Sequence, residues 1–185
     1  MIIARAKKKE NIIEYIIYMW QVEDLIRANG LKMDLVDKNI IANYNQPADT
    51  VLEIRDRWEN LAEMMRNEHK EEGGHLQVNI NTVNDVHQLH LALLKENEEM
   101  SYKYHYQLAV PFIQEFEQKS AAPYDNDIEL SLTAIYSSFL LKLQGKEISK
   151  GTQEAIASFS RFLAILAMKY KLDQEGKLNQ ASNQT

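Results

Sequence analysis

The sequence predicts an all-α fold, a single antiparallel bundle of about six or seven helices. Glycine and proline fall almost entirely between segments that repeat apolar residues with helical spacing, so the segment interiors are kept free of helix breakers. These segments are rich in Leu, Ile, Met, Ala, Glu, Lys and Gln, which lose little conformational freedom in a helix. With 185 residues, 45% of them hydrophobic, the chain is long enough to bury a core as one domain.

The breakers divide the chain into seven predicted helical segments. In chain order they are 5–29, 32–44, 49–71, 80–96, 98–120, 126–144 and 150–174. We predict one domain over residues 1–175. The tail at 176–185 has little apolar content, so we expect it to fray.

Local capping patterns support several of these helix starts. Thr50-x-x-Glu53 has the form of a capping box, and Ser149 or Thr152 can cap the last helix. Apolar residues alternate in the stretch HLQVNINTV, which also fits a short extended segment. We favour a helix start there, with Asn79 as the cap and the flanking valines at hydrophobic-staple positions.

The first, sixth and seventh segments carry wide apolar surfaces. On a helical wheel the apolar side chains of the first segment cover roughly 240° of the circumference, which is too wide for an ordinary surface helix. The first and last helices should therefore be among the most buried. Three wide faces exceed what one small bundle needs to bury, so the sequence also predicts a homodimer.

Two charged residues of the first segment lie on its apolar face. Glu23 and Arg27 share the arc of Ile16 and Trp20, whereas Asp24 lies on the polar side. The spacing of four allows a Glu23–Arg27 salt bridge at the rim of the core, which is the interpretation we favour. The alternative is a pocket in which Arg27 receives a small anion beside Glu23 and Trp20.

Three histidines form a second candidate group. His87 and His90 lie on adjacent turns of one helix, and His105 could supply a third metal ligand if the next helix folds back antiparallel. His90 and His105 both lie among apolar side chains. Because isolated ligand patterns often mislead, we favour satisfied core histidines over a metal site.

The fifth segment contains a proline within its helical pattern. Pro111 lies beside Tyr104 and Gln107, on the side opposite the apolar stripe that includes Phe112 and Ile113. Proline at this position removes the backbone bond to the Gln107 carbonyl and should bend the helix outward.

Several classes of function lack support in the sequence. There is no cysteine for thiol chemistry, no glycine-rich phosphate loop and no strand-to-helix turn around a nucleophilic serine, so we predict no cofactor and favour a non-enzymatic protein. A net charge of −6 argues against nucleic acid as a partner.

The N-terminus predicts a cytoplasmic location. Its basic residues precede an apolar run, but Glu14 interrupts this run and no small-residue cleavage site follows. No apolar stretch approaches the roughly 18 residues that a membrane-spanning helix requires, so we predict no membrane association.

Four stretches of the sequence resemble a known family. They are MIIARAKKKENIIEYIIYMWQVEDLIRAN, VPFIQEF, LQGKEIS and FLAILAMKYKLDQEGKL. Together they are similar to an uncharacterised bacterial family catalogued only as a domain of unknown function, and YMWQVEDLIR is the most specific part. The resemblance spans nearly the whole chain. It implies an all-α single domain and no activity, ligand or catalytic residue.

The sequence as a whole favours an interaction or scaffold protein that acts as a helical homodimer. The alternative is a helical protein that binds a small ligand or a metal. Its candidate residues are Trp20, Glu23 and Arg27 for the ligand and His87, His90 and His105 for the metal.

Overall fold

The fold was examined in a computed structural model, which describes residues 2–178. Helices fill most of this range, and no strand lies within it. The α-helices are α1 (Ile2–Glu10), α2 (Ile12–Ala28), α3 (Met33–Asn39), α4 (Ala48–Asn67), α5 (Gln77–Lys95), α6 (Met100–Lys119), α7 (Asp127–Leu143) and α8 (Lys150–Gln174), with a 3-10 turn at Ile41–Asn43 after α3. The predicted all-α class is confirmed, and these helices are compatible with a bundle.

The first predicted segment is interrupted at Asn11. Helix α1 ends just before this residue and α2 begins just after it. The Asn11 Oδ1 accepts a hydrogen bond from the Ile13 N–H at 3.0 Å, which satisfies one of the free donors at the start of α2. The second predicted segment is also divided, into α3 and the 3-10 turn.

One predicted cap is correct and one is wrong. Ser149 precedes α8 and accepts a hydrogen bond from the Thr152 N–H at 3.2 Å. The capping box at Thr50 and Glu53 is wrong, because α4 begins directly after Pro47 and already includes both residues. The proline ring holds φ at −54°, which directs the chain into the helix without a side-chain cap.

Helix α5 is capped by two carboxylates from earlier segments, one nine and the other 53 residues before its donor. A helix does start in this region, as predicted, but it begins at Gln77, so Asn79 lies within the first turn and is not the cap. The Leu76 N–H donates to Glu23 at 2.9 Å, and the Gln77 N–H donates to Glu68 at 2.6 Å. Two carboxylates thus replace the local cap that the sequence pattern predicted.

The chain forms two compact units. One contains residues 14–82 together with the residues before Glu10, and the other contains residues 10–13 and the chain from Val83 onward. The single domain over 1–175 stays a prediction. The predicted frayed tail, 176–185, lies mostly beyond residue 178 and so outside the described residues.

The first unit has a continuous apolar core. It is built from side chains of α2, α3, α4 and the loops that join them. Its buried members are Val22, Ile26, Leu31, Val36, Ile41, Ile54, Trp58, Ala62, Met65 and Leu76.

The second unit is centred on α6, α7 and α8, which pack against one another. Its core is rich in aromatic side chains, and Tyr102, Phe159 and Phe162 are fully buried. Helix α7 brings small buried residues, including Ser131 and Ala134, to this core, which allows close approach of its neighbours.

Helices α2 and α8 are among the most buried, as predicted. Ile16 and Ile26 of α2 and Phe162 and Leu166 of α8 have no exposed surface. Much of their wide apolar faces is therefore covered within a single chain, although Leu25 on α2 and Met168 on α8 are 43% and 54% exposed. The homodimer stays a prediction.

No helix in the described part of the chain combines the length and the hydropathy needed to cross a bilayer.

Candidate functional site

A buried carboxylate organises the first candidate site. Glu23 on α2 has no exposed surface. Its Oε1 accepts hydrogen bonds from the Leu76 N–H at 2.9 Å and from the Asn79 Nδ2 at 2.6 Å. Its Oε2 lies 2.6 Å from the His75 Nδ1. Three donors compensate for the loss of water around this side chain.

His75 is held on two sides. Its ring stacks on Trp20, with the ring centroids 4.2 Å apart and the planes inclined by 13°. Because a carboxylate oxygen can only accept, the contact with Glu23 places the ring proton on Nδ1. The Nε2 forms no hydrogen bond within residues 2–178 and is not enclosed, and the side chain is 28% exposed, so this nitrogen faces solvent.

Arg27 forms hydrogen bonds with the loop that precedes His75. Its Nε donates to the Lys70 carbonyl at 3.0 Å, and one terminal nitrogen donates to the Gly74 carbonyl. The other terminal nitrogen binds Asp24 at 2.7 Å.

The predicted salt bridge between Glu23 and Arg27 is therefore wrong. Asp24, three residues before Arg27, also reaches the guanidinium along the helix, while Glu23 points toward the start of α5. Trp20 and Glu23 are brought together around His75. Arg27 lies at the adjoining loop and binds protein groups, so the small-anion pocket stays a prediction.

A second polar cluster is buried in the other unit. The His90 Nδ1 lies 2.6 Å from the Tyr102 hydroxyl, and the edge of the Tyr106 ring packs against His90 with the centroids 4.7 Å apart. The Tyr106 hydroxyl donates to Asp127. The pKa of His90 is lowered to about 4, mainly by burial and to a lesser degree by the neighbouring His87, while Asp127 opposes the shift. Burial raises the pKa of both tyrosines.

The predicted metal ligands are only partly brought together. The rings of His87 and His90 stack with their centroids 5.8 Å apart. His105 instead packs edge-on against Tyr104 at 5.4 Å. Among the described residues, no group of three or more His, Cys, Asp or Glu side chains could hold a metal ion. His90 has the hydrogen bond expected of a core histidine.

The third candidate is a surface, which we call the α6 outer face. It consists of Met100, Tyr104, Leu108 and Pro111, which recur at helical spacing along α6. The first three are 70%, 59% and 45% exposed. Pro111 is also exposed, on the side opposite Ile113, as the sequence predicted.

From Met100 to Gln114 the α6 outer face has no exposed charge: the other exposed residues in this range are Ser101, Gln107 and Gln114. Beyond it, Glu115, Glu117 and Lys119 are exposed on the last turn, and Glu115 pairs with Lys119. In a chain with 26% charged residues, an uncharged exposed stripe over most of a 20-residue helix is unusual for a solvated surface.

Comparison with known proteins identifies the family. A family model described as a domain of unknown function, DUF4924, matches residues 1–177. The chain belongs to this family. The resemblance stated from the sequence is thus confirmed over nearly the whole chain. No curated protein and no solved structure matches it.

Sequence reasoning about this DUF4924 chain missed His75 and the role of Asn79. They lie 52 and 56 residues from Glu23, so no helical period connects them to it. His75 follows two glycines and lies on no predicted helix face. The available signal was indirect: a carboxylate on an apolar face requires buried donors, but their identity does not follow from the pattern.

Proposed function

We propose that this DUF4924 chain is a non-enzymatic cytoplasmic interaction protein that acts as a homodimer through the α6 outer face. The observation that carries the proposal is the exposure of large apolar side chains on a helix face that has no exposed charge from Met100 to Gln114. Such patches on otherwise charged proteins mark contact surfaces, and interface cores are enriched in Met and Tyr and depleted of charge.

A second copy of the chain fits this face better than a charged partner. Each copy carries a net charge of −6, so two copies repel one another over most of their surfaces. From Met100 to Gln114 the α6 outer face adds no charge to this repulsion and offers apolar area. A twofold interface uses the same patch on both subunits, so one self-complementary helix is sufficient.

The pattern of α6 suits an antiparallel pair. In that arrangement, Leu108 of one copy lies against Pro111 of the other, and the same contact recurs across the twofold axis. Tyr104 and Met100 then extend toward the end of the other helix, which bears Gln114 and the paired Glu115 and Lys119. A 20-residue helix is about 30 Å long, enough for several apolar layers.

Charge reversal on the α6 outer face tests this proposal. We expect wild-type protein to show the mass of a dimer by light scattering during size-exclusion chromatography. Leu108→Glu places two carboxylates at the centre of the interface and should weaken association by about 30-fold or more, typical of a central contact residue.

Leu52→Glu is the matched control, because Leu52 on α4 is 59% exposed and lies outside α6. We expect it to remain dimeric. A wild-type chain that is monomeric at every concentration would refute the proposal. Equal weakening by the two substitutions would refute the assignment of the interface to α6.

A further inference from the structure

We propose that His75 accepts a phosphoryl group on its Nε2 from a small anionic donor of the acyl phosphate or phosphoramidate class. This activity is independent of the proposed dimer. It would make the Glu23, Trp20 and His75 cluster a modification site, with Glu23 as a positioning residue.

The hydrogen bond to Glu23 prepares His75 for this role. It keeps the proton on Nδ1, so the lone pair is on Nε2, the nitrogen that faces solvent. Glu23 is itself fixed by Leu76 and Asn79, and the Trp20 ring restrains rotation of the imidazole. The nucleophilic atom is thus presented in one tautomer and one orientation.

A structural role for Glu23 does not require this histidine. The Leu76 N–H and the Asn79 amide already join Glu23 to the start of α5. His75 adds a ring whose second nitrogen remains accessible. A histidine with one nitrogen on a buried carboxylate and the other in solvent is arranged for proton transfer or nucleophilic attack.

The surroundings favour an anionic donor. Arg27 binds the carbonyl of Gly74, the residue before His75. The Lys70 Nζ lies 3.5 Å from the position that a Cβ on residue 74 would occupy. Arg27 is already paired with Asp24 and bound to two carbonyls, so we assign the attraction of a phosphoryl donor to Lys70.

The transfer is a displacement at phosphorus. The Nε2 lone pair forms the N–P bond while the bond from phosphorus to the leaving group breaks. An acyl phosphate releases a carboxylate, which takes the electron pair; a phosphoramidate releases ammonia after protonation of its amine. The Nδ1 proton stays on the ring, and Glu23 balances the positive charge of the substituted imidazole.

The test is phosphorylation by potassium phosphoramidate, with the initial rate measured at each histidine by mass spectrometry under alkaline conditions. The reference is His69, which is exposed and lies six residues before His75. We expect His75 to react faster than His69 although it is less exposed. If His69 reacts as fast or faster, exposure alone governs the reaction and the proposal is overturned.

Glu23→Gln tests the positioning role. We expect it to lower the rate at His75 about tenfold or more while the rate at His69 is unchanged. Nitrogen NMR of the His75 ring should show Nδ1 protonated in the wild type and a mixture of tautomers in the variant. An unchanged rate ratio between the two histidines would contradict the role of Glu23.

Lys70→Ala tests recognition of the anion and keeps the Lys70 carbonyl that Arg27 binds. We expect a several-fold lower rate at His75 with phosphoramidate and an unchanged rate with neutral diethyl pyrocarbonate. An equal loss with both reagents, or no loss with either, would overturn the anion preference. Circular dichroism checks that each variant is folded. The ratio of the His75 rate to the His69 rate in the wild type tests the proposal even if Glu23→Gln unfolds.

Discussion

In the first unit, hydrogen bonds compensate for the buried charge of a single residue, Glu23. Glu23 accepts three hydrogen bonds without contact with water, and its donors come from three separate residues. Each of those donors would lose its partner if the carboxylate were removed. The cost of truncation therefore exceeds the net contribution of any one bond.

We predict that Glu23→Ala lowers the free energy of unfolding by about 3 kcal/mol or more, because it leaves several buried donors unpaired. Glu14→Ala is the control: Glu14 is on the same helix and pairs with Lys7 at the surface, so its loss should cost less than about 1 kcal/mol. Urea denaturation measures both values. Similar losses for the two variants would show that the Glu23 cluster is not stabilising.

His90 predicts a pH dependence of stability in the second unit. Its folded pKa of about 4 lies below the ordinary value of 6.5, so between these values the unfolded chain binds a proton that the folded chain does not. Stability should therefore fall as the pH decreases from about 6.5 toward 4, by roughly 3 kcal/mol from this group.

Unfolding free energies of the wild type and of His90→Asn, measured across pH 4–7, isolate this contribution, because the carboxylates are common to both proteins. We expect the curve of the variant to be flatter over this range. Parallel curves would exclude His90 as the source.

At the scale of helices, most boundaries follow from the positions of glycine and proline. The sequence located α6, α7 and α8 to within two residues, because their ends coincide with local breakers and, for α8, with the Ser149 cap. The sequence did not predict the helix boundaries that are set by interactions other than local breakers. Asn11 divides the first segment, and α5 takes its caps from Glu68, nine residues before Gln77, and from Glu23, 53 residues before Leu76.

Ser149 and Thr50 were both considered as caps from the sequence, and we predict different losses of stability when each is replaced by alanine. Ser149→Ala should lower the free energy of unfolding by about 1 kcal/mol, because the Thr152 N–H loses its acceptor. Thr50→Ala should cost about 0.5 kcal/mol or less, because Thr50 lies inside α4 and caps nothing. Guanidinium denaturation of both variants compares them, and a larger loss for Thr50→Ala would contradict the assigned start of α4.

At the scale of the whole molecule, the sequence predicted the all-α class and which helices are buried. It could not predict which surfaces the chain covers by itself. The wide faces of α2 and α8 suggested a partner, yet much of their area is buried within one chain, and an exposed apolar stripe lies on α6. Which apolar surfaces are buried depends on contacts between segments that are far apart in the sequence. The hydrogen bond between Glu23 and His75 is another contact of this kind.

We propose that two copies of the chain meet through the α6 outer face, and a disulfide placed at that face tests this contact. The chain contains no cysteine, so Leu108→Cys introduces a single thiol near the proposed twofold axis. Leu52→Cys, on α4, is the matched control. Under mild oxidation at equal concentration, we predict that Leu108→Cys forms a covalent dimer and that Leu52→Cys stays largely monomeric. Equal cross-linking of the two variants, or cross-linking of Leu52→Cys alone, would contradict the account.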